Sequence, residues 1–191
     1  MGPTGQDVHI IQIHPTLRCN LRCLHCYSTS SPEQATTLSL DTLCQALSDA
    51  RAEGYNAVGV SGGEPLIYPA LPELLHHAHS LGMFTTVTTN GLLLSQKRLE
   101  ALRGAIDLMA ISVDGVPESH DRMRNKAGAF NKMKEKLQLV RDAGIPFGFI
   151  FTLTLYNLHE LEWVAAFAVE QGAELLQKTS RVNTPGRQRP A

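Results

Sequence analysis

The sequence is short of several things, and each shortage removes a class of protein. No charge of one sign prevails: 17 Lys and Arg stand against 18 Asp and Glu in 191 residues. A balance so close to neutral makes no broad field for nucleic acid or an anionic membrane. The basic residues that do gather, Arg181, Arg187 and Arg189, are sparse. No apolar run approaches the ~20 residues a helix needs to cross a bilayer. Met1 to Asp7 lacks the charged-then-apolar order of a signal peptide, so a cytoplasmic protein is expected. Cysteine is scarce, with 4 in all, yet three fall at Cys19, Cys23 and Cys26 and the fourth is Cys44. An odd cluster does not pair off, and disulfides are rare in reducing compartments, so a metal site fits better. The length suits one substantial core rather than two.

What is there alternates. Val8 to His14 is β-branched and apolar, as a buried strand is. From Ser39, a candidate N-cap, Leu40, Leu43, Cys44, Leu47 and Ala50 recur with helical spacing. Asn56–Ser61 reads as a strand, and Leu71, Leu74, Leu75, Ala78 and Leu81 as a helix closing at Gly82. Met83–Thr89 is a third strand, and Ser95 opens a short helix that closes at Gly104. Ile106–Ser112 is a fourth strand, and Phe130, Met133, Leu137 and Val140 line a longer helix. Phe147–Leu155 is a fifth strand; Asn157 with Glu160 three residues on makes a capping box before a helix to Gly172. Ala173–Gln177 reads as a sixth strand with no helix after it, and the Pro-, Gly- and Arg-bearing segment from 178 to 191 as a tail. Such alternation builds a parallel α/β sheet. Periodicity leaves an open doubly wound sheet and a full or partial barrel equally open.

The chemically unusual residues follow strands: His14 to Cys26, Gly62-Gly63-Glu64-Pro65, Thr89-Asn90-Gly91 and Ser112 to Gly115. In parallel α/β folds that edge carries the active site. Cys19-Asn-Leu-Arg-Cys23-Leu-His-Cys26 presents three thiols, the usual ligands of iron–sulfur clusters, and a cubane held by three leaves one iron open. A zinc knuckle or an ordinary electron-transfer cluster is the competing reading, with His25 as a fourth ligand. Cys44 sits on an apolar helical stripe and reads as core.

The run CNLRCLHCY, Cys19 to Tyr27, resembles the cluster motif of the radical S-adenosylmethionine superfamily. Gly62-Gly63-Glu64-Pro65 resembles its GGEP motif, Thr89-Asn90-Gly91 its third-strand TNG element, and Ser112-Val113-Asp114-Gly115 its SxDG segment. His120-Asp121-Arg122-Met123-Arg124 resembles the HDxxR run of members that modify peptides or make cofactors. The resemblance covers roughly Ile11 to Gln177 and implies a partial (β/α)6 TIM-like barrel lacking the last helix, with residues 8–177 as the core domain. It implies a 4Fe–4S cluster on Cys19, Cys23 and Cys26, whose open iron is chelated by S-adenosylmethionine. Reductive cleavage then yields methionine and a 5′-deoxyadenosyl radical that abstracts hydrogen from substrate. By the same resemblance His25, Tyr27, Gly62, Gly63, Glu64, Pro65, Thr89, Asn90, Ser112 and Asp114 lie against the cofactor. Arg124 is assigned its methionine carboxylate, a group a guanidinium suits. No residue is singled out as a substrate acid or base.

The resemblance further implies a peptide or small-molecule substrate and an electron donor such as flavodoxin or ferredoxin. Many relatives carry a C-terminal SPASM-type extension whose extra cysteines hold auxiliary clusters, which this cysteine count cannot supply. An unfinished barrel exposes one flank, so a partner chain completing it is expected. Two readings compete: a non-catalytic iron–sulfur or zinc module, and a truncated relative acting as a binding subunit. His76, His77 and His79 and Lys132, Lys134 and Lys136 read as solvated helix faces, and Trp163 with Phe167 as core or interface. If Cys23 is a ligand and Cys44 is core, Cys23→Ala abolishes cofactor cleavage and Cys44→Ala retains it, measured as 5′-deoxyadenosine by chromatography.

Overall fold

The computed structural model describes residues 7–180. Its elements run β1 (Ile10–Ile13), α1 (Leu40–Ala52), β2 (Ala57–Val60), α2 (Leu71–Ser80), β3 (Phe84–Thr89) and α3 (Gln96–Leu102). They continue with β4 (Leu108–Ser112), α4 (Pro117–Arg124), α5 (Ala129–Asp142), β5 (Phe147–Leu153), α6 (Leu161–Gln171) and β6 (Leu175–Ser180). All neighbours pair in parallel, in the order of the chain. Parallel crossovers are right-handed, so adding each strand beyond the last puts every helix on the same face. A doubly wound sheet needs a reversal of order to cover both faces, and none occurs. The result is the curled wall of a partial (β/α)6 barrel.

Strand periodicity divides the two faces. On the helix side Val58, Val60, Val87, Met109, Ile111, Phe149 and Phe151 are buried. On the inner side Gln12, Thr86, Thr88, Ala110, Ile150 and Thr152 are only partly covered or exposed. The helices meet the outer face with apolar stripes: Leu43 and Leu47 on α1, Leu74, Leu75 and Ala78 on α2, Met133, Leu137 and Val140 on α5. Each such large side chain contributes about 1.5–3 kcal/mol on burial. Trp163 stacks on Phe167 (5.3 Å, 6°), which also meets Phe130 at 5.2 Å and Phe149 at 5.3 Å. That pair is therefore core between α5, α6 and β5. His76 and His79 are exposed, whereas His77 ties α2 to α1 through the Cys44 carbonyl and Ser48 Oγ.

Two local expectations change, and one helix was not expected at all. Apolar periodicity gives no sign of α4, because the face it buries is His120, Met123 and Arg124. β6 runs Leu175–Ser180 rather than Ala173–Gln177, so Lys178, Thr179 and Ser180 continue the sheet against β5. As an edge strand it leaves polar side chains uncovered, which disguises its last residues as tail. The remainder of the expected tail lies outside the described residues. The Asn157–Glu160 capping box does not form: a 3-10 turn, Leu158–Glu160, precedes α6, and neither side chain makes a cap hydrogen bond.

Ser39 and Ser95 do cap α1 and α3, accepting from Thr42 N and Arg98 N. Leu74, fully buried, is expected to cost about 2–5 kcal/mol on Leu74→Ala. Val169→Ala, on the open face of α6, should stay within about 0.5 kcal/mol. Urea unfolding midpoints check both.

Candidate active site

Between β1 and α1 the chain closes on itself: Leu17 N donates to Thr36 O, Cys19 N to Ser31 O and Leu38 N to Pro15 O. The same loop is sewn to the turn after β2, where Gly63 N donates to Thr16 O and Glu64 N to Arg18 O, both at 2.9 Å. A Cβ on Gly63 would lie 2.1 Å from the Arg18 carbonyl oxygen, so only glycine lets the backbones cross this closely. Gly62 adds a φ of +107° and would meet His14 Cβ at 2.8 Å. The glycine pair thus sets how deep the cysteine loop sits.

Cys19 and Cys23 are buried and Cys26 half-buried, and all three line one cavity of about 420 Å³ at the C-terminal strand ends. Each sulfur faces a donor. Asn90 Nδ2 lies 4.0 Å from Cys19 Sγ, Arg124 Nη1 3.8 Å from Cys23 Sγ and Ser30 N 3.3 Å from Cys26 Sγ. Burial pushes the Cys19 thiol up to about 12, opposed by the Leu21 backbone and reinforced by Glu64. Burial also raises Cys23, with Arg124 opposing. Thiols held this way become thiolates through the charge of a bound metal, with loss of a proton. Among the described residues no three His, Cys, Asp or Glu side chains stand close enough to share one metal ion.

Glu64 is buried and committed. Its Oε1 accepts from Thr89 Oγ1 (2.7 Å) and Leu66 N (3.1 Å), and Oε2 from Asn90 N (2.9 Å). Burial raises its pKa while these donors pull the other way. It joins the β2 turn to the end of β3. Asn90 Nδ2 then reaches Asn20 Oδ1 at 2.8 Å, tying β3 to the cysteine loop. Tyr27 OH stands 3.1 Å from both His14 Nε2 and Ser61 Oγ.

On the opposite wall, Arg124 Nε lies 2.7 Å from Asp114 Oδ2, which is also 3.5 Å from His25 Nε2. Burial works against the Arg124 charge, but the Asp114 carboxylate and the Cys23 sulfur more than offset it, and its pKa is raised. Asp114 N donates to His120 Nδ1 (3.2 Å), so the neutral ring carries its proton on Nε2. Asp121 does not pair with Arg122; its carboxylate accepts from Gly128 N and Phe130 N and caps α5. Arg122 lies over the Tyr156 ring, 5.6 Å from its centroid.

Asn157 and Glu160 clamp α4 from the far side. Asn157 Nδ2 donates to the Asp114 and Thr152 carbonyls (3.2 and 3.0 Å), and Glu160 accepts from Val116 N (2.8 Å) and Ser119 Oγ.

The cavity wall includes His25, Tyr27, Gly62, Gly63, Glu64, Thr89, Asn90, Ser112 and Arg124 together with the three cysteines. Pro65 and Asp114 do not reach it: Pro65 opens a buried 3-10 turn, and Asp114 stands behind Arg124. The wall also includes Gln12, Ser61, Thr88, Thr152 and Gln177, which the sequence reading passed over. Their signal is a polar residue at alternate positions of otherwise apolar strands, as in Ile11-Gln12-Ile13.

A one-sided α/β half-barrel with clustered thiols in a cavity at its C-terminal strand ends is a cofactor-binding enzyme scaffold. The chain belongs to the Radical SAM superfamily, whose family model matches residues 13–168. It is 33% identical over 161 residues to the AdoMet-dependent heme synthase of Methanosarcina barkeri, covering 83% of this chain and 46% of that protein. It is 32% identical over 165 residues to the PqqA peptide cyclase of Ruegeria pomeroyi, covering 85% and 44%. The chain thus spans less than half the length of these two relatives. Its fold superposes with a TM-score of 0.79 on Streptococcus suis SuiB bound to S-adenosylmethionine, at 18% identity, over 94% of this chain and 42% of that one.

His120 carries a pH prediction. Burial, reinforced by Arg124, lowers it from 6.5 to about 4. Between those values the unfolded chain binds more protons than the native one, so stability falls as pH drops through that window. His120→Asn should flatten this slope, read from urea midpoints at either end of the window.

Proposed function

We propose that this chain is the catalytic core of a radical S-adenosylmethionine enzyme, holding a 4Fe–4S cluster on Cys19, Cys23 and Cys26. The observation that carries the reading is the convergence of three thiols on one cavity, each sulfur facing a hydrogen-bond donor. Cysteine-only ligation suits iron–sulfur chemistry, and the family membership supports it. When bound, the cluster supplies the electron that splits S-adenosylmethionine into methionine and a hydrogen-abstracting 5′-deoxyadenosyl radical.

The protein's part is position, charge and shelter. The Gly62-Gly63 backbone lies open to the cavity for the cofactor's amino group. Arg124 Nη2 is left for its carboxylate, since Nε and Nη1 are engaged by Asp114 and Cys23. Glu64 acts as a strut that keeps the glycine turn and Asn90 in place. Ser112 offers a hydroxyl on the wall, Thr89 gives its own to Glu64, and His25 and Tyr27 complete the wall beside the cysteines. Asp114 and Pro65 serve from behind, by holding Arg124 and the turn. The substrate is a peptide or a cofactor precursor, as the names of the relatives suggest. A flavodoxin- or ferredoxin-type donor supplies the electron, and further chain or a partner covers the open flank between β1 and β6.

The test is anaerobic reconstitution with iron and sulfide, followed by dithionite reduction with S-adenosylmethionine. Formation of 5′-deoxyadenosine, dependent on the cluster, is the expected outcome. Zinc uptake with no iron–sulfur absorbance overturns the reading.

A further inference from the structure

The three sulfurs do not share one environment. Cys19 Sγ faces the Asn90 amide, and Cys26 Sγ faces the Ser30 backbone N–H with Ser28 Oγ at 3.5 Å. Cys23 Sγ faces a guanidinium, Arg124 Nη1 at 3.8 Å. Arg124 is 9% exposed and Asp114 fully buried, so their 2.7 Å pair is screened little by water. The pair is a dipole whose positive end is turned toward Cys23 and whose negative end lies behind. Asn157 and Glu160 hold the backbone on either side of Gly115, which leaves that dipole little freedom to turn.

We propose that the Arg124–Asp114 pair tunes the reduction potential of the cluster, Arg124 raising it through Cys23 and Asp114 opposing it. The proposal rests on the cluster assignment above. Iron–sulfur potentials follow net charge, hydrogen bonds to the sulfurs and exposure. Reduction adds one negative charge, which a guanidinium beside a ligating sulfur favours and a carboxylate disfavours. At this depth both effects exceed those of surface charges at the same distance. Arg124 is thus a tuning residue as well as a carboxylate ligand, and Asp114 has a function although it never reaches the cavity.

Opposite signs make the test sharp. Wild type, Arg124→Gln, Arg124→Lys and Asp114→Asn are reconstituted anaerobically, and their iron content and far-UV circular dichroism are compared. Each is then titrated potentiometrically without S-adenosylmethionine, the reduced cluster being followed by electron paramagnetic resonance. Arg124→Gln should show at least a tenfold lower ratio of reduced to oxidised cluster at the wild-type midpoint, a fall of about 59 mV for one electron. Asp114→Asn should move the midpoint upward, and Arg124→Lys should fall between wild type and Arg124→Gln. If Arg124→Gln fails to load iron, the upward shift of Asp114→Asn still decides. Fully loaded variants with unchanged midpoints, or both charge-removing variants moving the same way, overturn the inference and leave the cluster assignment standing. A wild-type protein that takes up no iron overturns that assignment, and this inference with it.

Discussion

The rest of the structure depends on one constraint: parallel strands joined in the order of the chain must send every crossover helix to the same face. The outer face can then be covered by Leu43, Leu74, Met133 and their neighbours, while among the described residues the inner face has no layer to pack against. A closed eight-stranded barrel fills its interior with branched side chains. Here Gln12, Gly59, Thr86, Thr88, Ala110 and Thr152 are small or hydrogen-bonding groups that tolerate a polar cavity, and Ile150 is the one large apolar side chain among these inner positions. The same order brings every strand's C-terminal end to one rim, and the loops that leave it build the cavity.

That rim is stitched together by polar contacts that span the chain. Glu64 joins the β2 turn to β3, Asn90 joins β3 to the cysteine loop, and Arg124 joins α4 to Cys23 across 101 residues. Asn157 and Glu160 bring in the β5–α6 connection. Buried charges such as Asp114 and Arg124 rarely add net stability, and removing one partner of such a pair costs about 3–5 kcal/mol. Their value lies in placing a charge beside a particular sulfur.

Much of this was legible in the residues. The cysteine spacing, the strand–helix alternation and the glycine turns after strands each have a local cause, so composition and period reveal them. α4 was not, because it buries His120 and Arg124 rather than an apolar stripe. The last residues of β6 were not, because an edge strand keeps polar side chains there. Asn157 and Glu160 mimic a capping box at the right spacing, yet their side chains serve a loop more than forty residues away in sequence.

By itself, then, the sequence determined the alternation of elements, α4 apart, and which residue types gather after strands, since both are short-range properties of backbone and side chain. It also carried the resemblance that led to the family. The tertiary structure alone decided between barrel wall and doubly wound sheet, because strand order is a long-range pairing that periodicity does not encode. It alone separated the residues on the cavity wall from those behind it. The sequence sets Asp114 and Arg124 in similar motifs; only the packing of α4 against the cysteine loop turns one toward a sulfur and leaves the other behind it.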